Sequence, residues 1–274
     1  MDLVIEGIKK INFLFLFLFS ILSFSQVKIL SWNVENLGKS KSDETIAYIA
    51  QTVKDYDIVA LQEVVAGYGG AKAVARLADE LNRTGTHWDY VVSSPTSSSS
   101  YKTERYAYLW KPSKVAKVGT AFLENHYSLE IDREPYYCTF NYQGKAFTLA
   151  NFHAITKSKQ PETEIKYFKF LPALYPDKKI LFIGDFNCPQ SHTVFNPLRK
   201  MGYLPAFVGQ KTSLKQTCHY DQCLASEFDN IWYNSNQFSI QNPVAILFFK
   251  DFNNFTDAGK VTDHIPLALT LELK

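Results

Sequence analysis

The chain has 274 residues, 46% of them hydrophobic and 15% aromatic, which excludes an intrinsically disordered protein and supplies enough apolar side chain for a sizeable core. Its net charge of +2 sets up no strong overall field, so a nucleic-acid partner would need a local basic patch. The length suits a single large α/β or sandwich core, and no repeat, long linker or shift in composition marks a second domain.

From the N-terminus, Lys9 and Lys10 precede an apolar run from Ile11 to Leu22, and Ser23 and Ser25 then flank Phe24. A basic region, a short apolar stretch and a small-x-small site describe a secretory signal peptide over 1–25, leaving 26–274 as the mature domain. The run falls short of the roughly 20 residues of a membrane span. The expected location is therefore secreted, periplasmic or extracellular, with no membrane attachment after cleavage. Export permits disulfides. Of Cys138, Cys188, Cys218 and Cys223, the last two are expected to close a small loop, with Cys188 competing for either.

Val27 to Asn33 reads as a strand running into a polar end. Ser42-Asp43-Glu44 then offers a helix start, and Ile46, Ile49, Ala50 and Val53 recur at helical spacing. Asp57 to Glu63 is a second buried strand ending in a carboxylate, followed by an amphipathic helix from Ala71 to Leu81. A Ser-rich loop, Ser93 to Ser100, precedes strands at Tyr106 to Trp110, Tyr136 to Tyr142 and Ala146 to Asn151. A further helix is expected from Pro161 until Pro172 ends or kinks it. The strand Lys179 to Gly184 stops abruptly at Asp185-Phe186-Asn187, where period-2 geometry points Asp185 and Asn187 one way and Phe186 the other. Ala245 to Phe249 reads as a buried strand, and Phe228 to Tyr233 and Ile265 to Leu273 as the last two strands.

Polar residues thus gather where strands end: Asn33, Glu63, Asp185 with Asn187, His153, Asp229, and Asp263-His264. Ligand-handling groups in open α/β sheets sit beyond the carboxyl ends of strands. Converged on one face, so many charges would be unfavourable unless a cation or a reaction used them. Glu63, Asp263 and the Asn33 amide are hard oxygen donors, suited to Mg²⁺, Mn²⁺ or Ca²⁺ rather than zinc. His153 and His264 can serve as base and acid near neutral pH, and the set fits in-line displacement at phosphorus.

At these residues the chain resembles the endonuclease/exonuclease/phosphatase superfamily, through Ser31-Trp32-Asn33, Leu61-Gln62-Glu63, Gly184-Asp185-Phe186-Asn187 and Thr262-Asp263-His264. Its deoxyribonuclease I branch is singled out by Tyr101 to Tyr106, Arg133-Glu134-Pro135 and Phe228-Asp229-Asn230-Ile231. The resemblance implies a four-layer α/β/β/α sandwich, with two mixed, mostly antiparallel sheets face to face and helices outside. It implies catalytic pairs Glu104 with His153 and Asp229 with His264, and divalent-ion ligands Glu63 and Asp263. Asn33, Asp185 and Asn187 would surround the scissile phosphate, and Arg133 would contact phosphate. The implied cofactor is Mg²⁺ or Mn²⁺, with structural Ca²⁺ left open, and the implied substrate is mainly double-stranded DNA, cut by a monomer without a stable protein partner.

Two departures concern the DNA groove. Val65 stands where the family carries an arginine, and Glu35 where it carries a basic residue, while Tyr101 and Lys102 keep a groove contact open. Two rivals remain. One is a phospholipid-directed phosphodiesterase of the sphingomyelinase or phosphoinositide phosphatase type. The other is an inactive binding module, which would be expected to lack one of the histidines, carboxylates or metal ligands.

Overall fold

The computed structural model describes residues 26–98, 103–218 and 222–274. The expected signal peptide, Tyr101, Lys102 and His219 lie outside the described residues. Among the described residues two six-stranded sheets stand face to face.

The first sheet holds β1 (Gln26–Leu37), β2 (Ile58–Val65), β3 (Asp89–Val92), β4 (Glu104–Trp110), β11 (Phe238–Ala245) and β12 (Leu267–Leu273), in the order β11-β12-β1-β2-β4-β3. The second holds β5 (Ala116–Leu123), β6 (Tyr136–Tyr142), β7 (Lys145–His153), β8 (Ile180–Asp185), β9 (Tyr203–Pro205) and β10 (Asp229–Asn234), in the order β5-β6-β7-β8-β10-β9. Each sheet has one parallel pair at its centre, β1 with β2 and β7 with β8, and the remaining neighbours are antiparallel.

Central strands are buried on both faces, which is why they read as continuous apolar runs rather than alternating ones. In β1, Val27 and Ile29 enter the core between the sheets while Leu30, Trp32 and Val34 enter an outer core. In β8, Leu181 and Ile183 face inward, and Ile180 and Phe182 pack outward. The outer core of the first sheet is closed by α1 (Asp43–Val53) and α2 (Tyr68–Asn82), through Ile46, Ile49, Val53, Val74, Leu77 and Leu81. Ser42 caps α1 by accepting from the Thr45 amide at 3.2 Å. The second sheet is covered by short pieces, α3 (Glu162–Ile165), α4 (Leu171–Leu174) and α5 (Asn196–Lys200), supplying Ile165, Leu171 and Leu198. These are the four layers of the expected α/β/β/α sandwich.

Three local readings differ. The helix beginning at Pro161 is a single turn, Glu162–Ile165, and Pro172 opens α4 instead of ending the earlier helix, because its missing N–H costs nothing in a first turn. Ala245 to Phe249 is the end of β11 and the start of a 3₁₀ turn, Phe248–Asp251. It is apolar because Phe248 packs on Trp32 and Tyr48 beneath the helical layer. Residues 89–92, 116–123, 203–205 and 238–245 form strands that the apolar pattern did not reveal. Cys218 and Cys223 are disulfide-bonded, as the loop spacing suggested, while Cys138 and Cys188 are buried free thiols pushed up to about 12 by burial. No helix of the described residues is long and apolar enough to cross a membrane.

Candidate active site

The parallel pairs place the carboxyl ends of β1, β2, β7 and β8 at one rim of the sandwich, and β10 begins and the segment before β12 passes at the same rim. A cleft of about 660 Å³ opens there, lined by Glu63, Glu104, Arg133, His153, Asp185, Asn187, Asp263 and His264. Asn33 and Asp229 lie beneath it, hydrogen-bonded to the lining groups. All ten side chains singled out in the sequence therefore meet in one place.

Backbone strain marks the rim. Glu63 (φ 58°), Asn187 (φ 48°), Asn36 (φ 56°) and Glu35 (φ 36°) sit in the left-handed region, which costs a non-glycine residue on the order of 1 kcal/mol or more. Gly184 (φ 137°) is required outright, since a Cβ there would collide with the Phe152 carbonyl of the parallel neighbour β7. That close approach puts His153 and Asp185 side by side in register.

His153 Nδ1 lies 3.0 Å from both Glu104 carboxylate oxygens. Arg133 braces this pair. It donates from Nη1 to Glu104 at 3.1 Å, from Nε to the His153 carbonyl at 3.0 Å, and from Nη2 to the Ala154 carbonyl. Burial raises the Glu104 carboxyl, yet His153 and Arg133 outweigh it and hold Glu104 below the ordinary carboxylate range. Burial lowers the His153 imidazole, but Glu104 reverses this against the opposing Arg133, and the net shift is upward.

The second pair is tighter and simpler. His264 Nδ1 lies 2.7 Å from Asp229 Oδ2. Burial again opposes the charge, and Asp229 with Asp185 overcomes it to raise His264 well above an ordinary histidine. Hydroxyls frame the pair: Thr212 Oγ1 accepts from the Asp229 amide at 3.0 Å, and Thr262 Oγ1 from the His264 amide at 3.2 Å.

Both imidazoles turn their Nε2 atoms to one oxygen. Asp185 Oδ2 is 3.5 Å from His153 Nε2 and 3.7 Å from His264 Nε2. Asp185 is fixed by accepting the Asn187 amide at 2.8 Å on Oδ1 and the Asn33 Nδ2 group at 3.2 Å on Oδ2. The same Asn33 amide donates to Glu63 Oε1 at 2.9 Å, while its own oxygen accepts from the Glu35 backbone at 3.1 Å. Asn33 thus aligns two carboxylates and keeps its oxygen on the backbone.

Five carboxylates (Glu63, Glu104, Asp185, Asp229, Asp263) meet one guanidinium and two imidazoles here. Glu63 and Asp263 are not taken up by a histidine Nδ1 as Glu104 and Asp229 are, and Asp263 is largely exposed to the cleft. Their oxygen-only chemistry fits a hard divalent cation. The buried trio Asp185, Asp229 and His264 also brings ligand atoms within 4.8 Å of one another, but there Asp229 is committed to the imidazole N–H.

Four supporting residues escaped the sequence reading. Thr212 has just been described. Tyr106, expected only to pack the sheet, accepts the His153 amide at 3.1 Å on its hydroxyl. Lys41 is buried and donates to the Val261 carbonyl at 2.6 Å, bracing the strap before Asp263. Glu164 accepts from the Asp132 and Ile155 amides at 2.6 and 2.9 Å, clamping the Arg133 loop to the chain after His153. Only Tyr106, inside a branch motif, carried a sequence signal.

Fold and rim together define an α/β/β/α sandwich protein with two histidine–carboxylate pairs converging on a central aspartate. The Endonuclease/Exonuclease/phosphatase family matches residues 30–264, and the chain belongs to that family. A deoxyribonuclease of Thioalkalivibrio sp. (strain K90mix) is 28% identical over 220 residues, covering 76% of this chain and 58% of that protein. Deoxyribonuclease-1 of Bos taurus is 31% identical over 178 residues, covering 61% and 62%. The chain therefore spans about three-fifths of the length of each of these relatives. Among solved structures, the human Nocturnin catalytic domain with bound sulfate superposes with a TM-score of 0.65 at 16% identity, over 92% of this chain and 96% of that one.

Proposed function

We propose that this protein is an exported, divalent-metal-dependent endonuclease that hydrolyses phosphodiester bonds of DNA with little sequence preference. The carrying observation is the convergence of two imidazoles, each held at Nδ1 by its own carboxylate, on a shared point at Asp185 Oδ2. The deoxyribonuclease relatives supply the substrate class.

A carboxylate at Nδ1 fixes the tautomer, so Nε2 is the working atom in both rings. His264, raised by an Asp229 carboxylate that no guanidinium shares, suits the acid that protonates the departing oxygen. His153, whose rise Arg133 restrains, suits the base that takes the proton of the attacking water. Asn33 and Asn187 would flank the phosphate, and the Arg133 N–H groups left over from its protein contacts would face its oxygens. Glu63 and Asp263 would hold Mg²⁺ or Mn²⁺, which neutralises phosphate charge when bound.

The test is plasmid nicking with Mg²⁺, with and without EDTA, for the parent, His153→Ala and His264→Ala. Turnover should vanish with EDTA and fall by about 10²–10⁴-fold in each variant, with folding retained. Either variant nicking at the parental rate would refute the chemistry.

A further inference from the structure

The cleft does not end at the catalytic groups. Beyond Leu214 and Asp263, which line both, it opens into a second cavity of about 410 Å³ with Glu35, Lys215, Phe255 and Lys260 on its walls. Lys215 in turn borders a third, of about 280 Å³, with Lys211 and Lys250 beside Leu224, Leu247 and Phe249. The three adjoin through these shared wall residues, and together they are called the trough. Its inner end is acidic through Glu35 and Asp263, and among the described residues its outer wall has three lysines and no carboxylate.

These lysines are exposed, and among the described residues no ion pair engages Lys211, Lys215 or Lys250, whereas Lys260 is held by Asp257 at 2.6 Å. A cleft lined by cations of one sign without counter-charges concentrates anions over it.

The segment bearing Lys211 and Lys215 is also tied to the site. Ser213 bridges to His264, and the Leu214 amide donates to the Asp263 carbonyl at 2.6 Å. Leu214 bridges to Leu224, the Lys215 amide donates to the Cys223 carbonyl at 2.7 Å, and the Cys218–Cys223 disulfide closes the turn. A charge on this arm therefore keeps a fixed place relative to the acid–base pair. Val65 also lines the cleft and brings no charge to it.

We infer that the trough carrying Lys211, Lys215 and Lys250 is a phosphate track that holds the substrate's sugar–phosphate backbone beyond the scissile bond. It supplies the local basic patch that a net charge of +2 does not, in the part of the trough that Glu35 and Asp263 do not line. This inference rests on the nuclease reading only for the identity of the polyanion.

The test is binding of a fluorescent 30-base-pair DNA in Mg²⁺ across a salt series, in a His264→Ala background that suspends turnover. Each phosphate contact contributes about 0.9 to the slope of log affinity against log salt. Lys211→Gln/Lys215→Gln/Lys250→Gln should lower that slope by about two to three, with an unchanged thermal melt. Should the triple variant fold poorly, each single Lys→Gln change should lower it by about one. An unchanged slope overturns the track. So does a parent that ignores DNA but binds phosphatidylserine vesicles. DNA bound with the expected slopes but never cleaved by the parent would refute the proposed chemistry and leave the track standing.

Discussion

The two histidine pairs are built from the same parts and tuned apart. His153 shares Glu104 with Arg133, so its carboxylate is divided between two cations. His264 has Asp229 at 2.7 Å with no guanidinium competing. Burial opposes protonation in both, and both rings are raised, His153 by Glu104 against Arg133 and His264 by Asp229 with Asp185. On the proposed reading, this one neighbouring charge is what divides two like pairs into an acid and a base, so that a single site can both take and give a proton near neutral pH.

The largest expected effect that separates them is on rate. Asp229→Asn leaves an amide free to present either end to His264 Nδ1, and should cost on the order of 10³-fold in kcat. In Glu104→Gln, Arg133 still fixes the amide oxygen toward His153, so the loss should be smaller, about 10²-fold. Plasmid and oligonucleotide turnover measure both. Equal losses would show that Arg133 orients nothing.

The pH profile sharpens the contrast. The proposed mechanism requires His153 neutral and His264 protonated, so it assigns the acidic limb to the first and the alkaline limb to the second. Removing a carboxylate lowers its partner's pKa. Asp229→Asn should therefore bring the alkaline limb to lower pH, and Glu104→Gln the acidic limb to lower pH. If both variants move the same limb, the division of labour is wrong.

Stability should divide likewise, at about 1–3 kcal/mol for each hydrogen bond to a charged group. Glu104 is depressed in the folded state, so its contribution is present above its unfolded value and lost as pH falls through the depressed one. His264 is raised, so its contribution is full below the ordinary histidine range and lost as pH rises through the raised value. In urea melts, Glu104→Gln should flatten the acid side of the parent's stability curve and Asp229→Asn the alkaline side. Losses on the same side in both variants would break the comparison.

Much of this was legible because the site lies where continuous apolar runs of buried central strands stop. Leu181 to Gly184 and Val59 to Leu61 announce their strands, and the polar residue after each announces the rim. What stayed hidden has physical reasons. β5 is largely exposed and β11 carries Pro243 and a register shift, so neither shows the alternation of a half-buried strand. The apolar run Ala245 to Phe249 misled because burial beneath a helix and burial in a sheet demand the same side chains. Glu164 and Lys41 act through backbone amides and carbonyls far along the chain, which residue type alone does not disclose.

The finest test addresses Arg133 itself. If it alone keeps His153 from resembling His264, then Arg133→Gln, which removes the charge and keeps hydrogen-bonding capacity, should make the pairs alike. Arg133 depresses His153, so without it the imidazole holds its proton to higher pH and the acidic limb of kcat/KM should move upward. That is opposite in sign to Glu104→Gln, although both changes touch the same three-residue cluster. The loss at the optimum should be only about tenfold, the equivalent of one hydrogen bond to a charged group at about 1.5 kcal/mol. General disturbance of the cluster would move both variants' limbs in one direction, whereas control by the guanidinium charge requires them to diverge.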